Sequence, residues 1–134
     1  MRKETTENNK LITEFMGFKE VQEGTFKVEL SIKSGFLRNI ELKFHTSWDW
    51  IMPVVERIRE KTPHENALYE SNGYAFCIDD NVIKIAESMW EINKNFDIIV
   101  KINITDNLLE SIYKAVVEFI KWHNKTDELL DDGN

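Results

Sequence analysis

The sequence predicts an α+β fold in which an antiparallel sheet of four to five strands is packed by three helices. Three observations carry that expectation. Residues 44–60 set Trp50, Val54, Ile58, Ile51, Val55, Trp48 and Met52 on one arc of about 200° when stepped around a helix, leaving Asp49, Glu56, Arg57 and Glu60 opposite. Several shorter segments alternate apolar and polar residues with a period of two, the pattern of a half-buried strand. Residues 108–122 return to helical spacing, with Leu108, Ile112, Val116 and Ile120 beside Leu109, Tyr113, Val117 and Trp122. An arc as wide as the first needs cover on its flanks as well as beneath.

Taken in order, residues 1–7 are polar and read as a flexible tail. Leu11, Ile12, Phe15 and Met16 then recur at helical spacing until Gly17, which can take the left-handed conformation that ends a helix. So short a helix is unstable alone in water and depends on docking those four side chains. Phe26, Val28, Leu30 and Ile32 alternate with Lys27, Glu29 and Ser31, and Ile40, Leu42 and Phe44 repeat the pattern against Asn39, Glu41 and Lys43. Lys33-Ser34-Gly35 is the expected turn of a β-hairpin between them.

The second strand feeds the Trp-rich helix, for which Thr46, Ser47 or Asp49 can supply the cap. With Ser47 as cap, Pro53 deprives the Asp49 carbonyl of its partner; with Asp49 as cap, Pro53 falls in the first turn, where little is lost. Thr62-Pro63 ends the helix, and residues 63–73 read as a loop with a helical turn near Ala67. Tyr74, Phe76 and Ile78 form the third strand, and Asp79-Asp80-Asn81 is a strong turn signal. Residues 82–93 fit either a strand through Val82, Ile83 and Ile85 or a helix through Val82, Ala86, Met89 and Trp90; a strand over 82–86 with an irregular connection through Trp90 is favoured. Ile98, Val100, Ile102 and Ile104 alternate with Lys101 and Asn103 as the last strand. Asn107, three before Glu110, opens the closing helix in capping-box spacing, and residues 126–134 read as a second flexible tail of a single domain spanning 1–134.

With 24 acidic residues against 17 basic ones the net charge is −7, which argues against a broad phosphate-binding surface and demotes nucleic acid among the expected partners without excluding it. Part of the excess is local, because Asp127, Glu128, Asp131 and Asp132 stand against Lys125 alone in the last ten residues. A single cysteine, Cys77, excludes an intramolecular disulfide and suits a reducing compartment, so a cytoplasmic location is expected. No apolar segment follows the N-terminal charges and no run approaches the ~20 apolar residues of a membrane span, so neither a signal peptide nor a membrane partner is expected.

Three motifs in chain order are familiar: Leu-Ile-Thr-Glu-Phe-Met-Gly at 11–17, Phe-His-Thr-Ser-Trp-Asp-Trp-Ile-Met-Pro-Val-Val-Glu-Arg-Ile at 44–58, and Ile-Tyr-Lys-Ala-Val-Val-Glu-Phe-Ile-Lys-Trp-His at 112–123. Together they resemble small uncharacterised proteins encoded by tailed phages and prophages, similar to the phage ABA sandwich domain; the second motif is the distinctive one. The resemblance implies an α/β/α sandwich and a phage or prophage origin, and transfers no catalytic residue. The alternation with Lys27, Glu29, Asn39, Glu41 and Lys43 implies instead a sheet with one wet face, a two-layer α+β arrangement. The two agree if the hairpin projects beyond the helix-covered part of the sheet.

His45 and Asp49 stand four apart and, with an early helix start, could meet as an acid/base pair with Glu56 on the same face. A hydrogen-bonding group at a strand end and helix start is the weightier reading. His123 is expected to meet the negative end of the last helix, His64 to be solvated in a loop, and Cys77 to be a small packed residue between Phe76 and Ile78. There is no glycine-rich phosphate loop, zinc-ligand spacing or nucleophile elbow, so no metal or cofactor is expected and catalysis is the lesser expectation. Trp48 and Trp122 are expected in the core, which leaves Trp50, at the edge of the arc, and Trp90 as the candidate binding surface.

The leading functional expectation is therefore a phage or prophage accessory protein acting as a non-catalytic protein-binding module through its hairpin or Trp50 edge. Its partner would be a host protein, a phage protein or a second copy. The alternatives are an acidic nucleic-acid mimic that blocks a host defence enzyme, and a small enzyme using His45 and Asp49.

Overall fold

The computed structural model describes residues 3–61, 74–87 and 98–132, with side chains described as far as residues 86 and 126 in the last two segments. The elements are α1 (Lys3–Phe15), β1 (Glu20–Gln22), β2 (Thr25–Leu30), β3 (Lys33–Arg38), a 3-10 turn (Asn39–Glu41), α2 (Trp48–Glu60), β4 (Tyr74–Asp79), β5 (Val82–Glu87), β6 (Ile98–Asn103) and α3 (Leu108–Asp132). The fold is α+β with three helices. Its strands divide into two three-stranded antiparallel sheets, in the orders β1-β2-β3 and β4-β5-β6, and not into the single sheet of four to five expected.

α1 begins at Lys3, inside the segment expected as a tail, and stops where Gly17 adopts φ +80°. There the Gly17 N–H donates to the Glu14 carbonyl at 3.0 Å and the Phe18 N–H to the Thr13 carbonyl at 2.9 Å, the paired bonds of a Schellman ending. The carbonyl of Phe15 is satisfied from α2, whose Arg57 Nε donates to it at 2.8 Å, so the two helices are tied at that corner.

β2 buries Phe26, Val28 and Leu30 as its alternation requires. The hairpin closes earlier than expected, since Leu30 pairs with Lys33 across Ser31-Ile32 and the residues read as the turn, Lys33-Ser34-Gly35, lie in β3. Glu41 then ends the strand by accepting hydrogen bonds from the Arg38 N–H at 2.9 Å and the Arg38 Nε at 3.2 Å. Consequently Leu42 and Phe44 reach the core from irregular chain, and Ile40 is left exposed. β1 has no counterpart in the sequence reading because all three of its residues are exposed and carry no alternation.

α2 takes Ser47 as its cap position, without a side-chain cap bond, so Pro53 sits within the helix and leaves the Asp49 carbonyl without its usual i+4 donor. Its buried residues are Trp50, Ile51, Val54, Val55 and Ile58. They span only about 140° of the wheel. Trp48 and Met52, which the wider arc placed inside, are 43% and 40% exposed.

Asp80 and Asn81, at φ 49° and 60°, join β4 to β5 by a two-residue turn with both central residues in the left-handed region, as a type I′ hairpin demands. Asn81→Val should cost about 1–2 kcal/mol from that conformation alone, and Asn81→Gly should be neutral or slightly stabilising, as read from urea-unfolding midpoints. Cys77 is exposed rather than packed, because it lies on the outer face of β4 at the margin of its sheet.

Asn107 caps α3 through its Oδ1, which accepts from the Glu110 N–H at 3.1 Å. The helix runs on to Asp132 through most of the expected second tail, so His123 lies in mid-helix and not at the helix end. Its ring packs edge-on to Phe15 at 5.9 Å. One apolar core joins α1, the first hairpin, the stripe of α2, the inner face of β4 to β6, and Ile112, Val116, Phe119 and Ile120 of α3.

Candidate functional site

α3 carries its apolar stripe from Leu108 to Trp122, with Glu110 and Lys114 paired at i, i+4 (3.8 Å), and the site lies along it. An open groove of about 1050 Å³ runs along it from Asn107 to Lys125, with the start of α1 (Glu4, Thr5, Asn8) and four consecutive residues of β6 (Ile99, Val100, Lys101, Ile102) completing the lining. Successive side chains of a strand point to opposite faces, so four in a row can line one groove only where it follows the strand's edge.

The floor carries a small polar network. Tyr113 Oη donates to Asn9 Oδ1 at 2.9 Å, and Asn9 Nδ2 lies 3.3 Å from His45 Nδ1. Because the Asn9 oxygen is occupied as an acceptor, its NH₂ donates to His45, and the imidazole proton sits on Nε2. Asn9 is wholly buried on α1. Burial holds the His45 pKa below its usual value, and burial, then the Glu4 charge, raises that of Tyr113. His45 is therefore neutral and accepting, and Tyr113 a fixed donor. This network has no paired acid and base in it.

The rim has both signs of charge, with Lys101, Lys114, Lys121 and Lys125 against Glu4, Glu110 and Glu118. On an acidic chain this is a locally basic strip. Trp122, Val117, Val100 and Ile99 supply its apolar contact area.

The residues singled out from sequence fall elsewhere for the most part. His45 lines the groove, but Asp49 is exposed on α2 outside it, and Glu56 is exposed further along the same helix, so no His45–Asp49 pair is assembled. Trp50 is 5% exposed, its ring edge-on to Phe44 at 5.1 Å, so it anchors the core and offers no surface. Trp122 reaches both core and groove. Trp90 and His64 lie outside the described residues. Asn9 and Lys101 were not anticipated. The signal for Asn9 was present, since it precedes Ile12 by three and so extends the buried face of α1 with an amide.

Among the described residues no group of three His, Cys, Asp or Glu side chains is set to hold a metal, and no helix is long and apolar enough to cross a membrane. No family model, curated protein or solved structure matches the chain.

Proposed function

We propose that this chain is a non-catalytic protein-binding module, an accessory protein of phage or prophage origin, that receives its partner in the α3 groove. The origin rests on the three motifs at 11–17, 44–58 and 112–123, and with them the α/β/α sandwich. The observation that carries the binding role is the length of the groove. Its lining follows α3 from Asn107 to Lys125, roughly 27 Å at 1.5 Å per residue, which suits a stretch of polypeptide better than a compact metabolite. The lysines on its rim favour this over the acidic nucleic-acid mimic, and the separation of Asp49 from the groove favours it over the His45 enzyme.

The test is photo-crosslinking in lysate from phage-infected host cells, with a benzophenone amino acid at Lys121 in the groove or at Glu56 on the far exposed face of α2. A defined adduct from position 121 and none from position 56 is expected. A monomer by light scattering that yields no adduct from either position would overturn the proposal.

A further inference from the structure

The second sheet ends at β6, and the groove follows that end. β6 pairs with β5 through Ile102↔Ile83, Lys101↔Lys84 and Val100↔Ile85, and the Ile104 N–H donates to the Asn81 carbonyl at 2.8 Å. In an antiparallel ladder hydrogen-bonded and non-hydrogen-bonded pairs alternate. Counting from the Ile104–Asn81 bond, Ile102 and Val100 spend their backbone groups on β5, and the N–H and C=O of Lys101 point away from it along the groove. Among the described residues nothing pairs with them.

The side chains add a second, independent observation. Lys84 and Lys101 are directly opposite in a non-hydrogen-bonded pair, the closest cross-strand spacing, on the outer face of the sheet. Like charges so placed repel. Among the described residues neither ammonium has an ion-pair partner. On the inner face the neighbouring residues, Val100 and Ile102, turn toward α3 and its Val117 and Trp122. An added strand would thus need a carboxylate opposite Lys101 and apolar side chains on either side of it.

We propose that β6 is completed by an extended segment of a partner protein that adds as a fourth strand, with an acidic residue opposite Lys101 flanked by apolar residues lying on α3. Strand addition of this kind takes its affinity from main-chain bonds and its selectivity from alternate side chains. A second copy of this chain is the poorer occupant, because the antiparallel register that overlaps residues 99–103 of two β6 edges and pairs their outward groups sets Lys101 against its own equivalent. This proposal rests on the protein-binding reading and narrows it to one edge and one sequence pattern.

The probe is an end-capped, fluorescein-labelled peptide alternating valine with glutamate, compared with its lysine analogue and with a form N-methylated on the backbone. Fluorescence anisotropy is expected to show saturable binding of the glutamate peptide, at least tenfold weaker binding of the other two, and a reversed preference in Lys101→Glu. Lys101→Pro, which removes the outward N–H together with the ammonium, should weaken binding tenfold beyond Lys101→Ala, which removes the ammonium alone, with an unchanged circular dichroism spectrum in both. In the unaltered protein the Lys101 amide should exchange quickly when free and slow at least tenfold when the peptide is bound. Absence of binding, indifference to N-methylation, or a self-associated state that protects the Lys101 amide without peptide would each overturn the proposal. Should the groove crosslink form while the peptide fails, the protein-binding reading stands and strand addition falls.

Discussion

Phe119→Ala is expected to destabilise the protein by about 3–5 kcal/mol, a large share of the roughly 5–15 kcal/mol that holds an ordinary domain together. Phe119 has no solvent exposure and stands where three elements meet: edge-on to Tyr74 of β4 at 4.8 Å, edge-on to Phe15 of α1 at 6.1 Å, and tilted against Trp122 at 5.8 Å. Truncation removes the buried ring and leaves a cavity that α1, β4 and α3 cannot close together, because each is held elsewhere in the same core. Urea unfolding followed by tryptophan fluorescence measures the loss. The matched control is Phe36→Ala, since Phe36 is 65% exposed on β3 and its truncation should move stability by no more than about 0.5 kcal/mol. Equal losses in the two variants would show that α3 does not close over the core as described.

The second large effect is expected at Asn9. Asn9→Ala removes the acceptor of the Tyr113 hydroxyl and the donor to His45 Nδ1 at once, with a cost of about 2–4 kcal/mol if each abandoned group loses 1–3 kcal/mol and the half-buried imidazole recovers some of it from water. The same network sets a pH dependence. Protonating His45 puts an N–H on the atom that accepts from Asn9, and burial already disfavours the charged ring, so its pKa is lower folded than unfolded. The unfolded chain therefore binds more protons between those two pKa values. The His45 contribution is complete above the unfolded histidine value of about 6.5 and is lost as pH falls through the lower folded value. Unfolding midpoints should drop on acidification through that window, with a slope below about 1.4 kcal/mol per pH unit. His45→Gln should flatten that part of the profile, and a profile as steep as that of the parent protein would refute this role for the imidazole.

Local rules made some of the molecule legible. Gly17 could be read as a helix stop because only a residue tolerant of positive φ ends a helix in that way, and Asp80-Asn81 as a hairpin turn for the same reason applied twice. Asn107 was readable as a cap because its side chain reaches a backbone N–H three residues on. Ile40, Leu42 and Phe44 misled because alternation says which residues are to be buried and not whether a strand buries them. The 3-10 turn held by Arg38 and Glu41 delivers Leu42 and Phe44 to the core by another path.

By itself, then, the chain of residues determined the α+β class, the three helices, most strand cores, the helix stop at Gly17 and the turn at Asp80-Asn81, since each depends on contacts within a few positions. Only the tertiary structure decided that the strands split into two sheets, that Trp50 goes in while Trp48 stays out, and that a groove exists at all. The bond from Tyr113 to Asn9 joins residues 104 positions apart, and lysines of both β6 and α3 line one groove. Such pairings carry no periodic signal, because what makes the two residues neighbours is the packing of a whole core and not the geometry of one element.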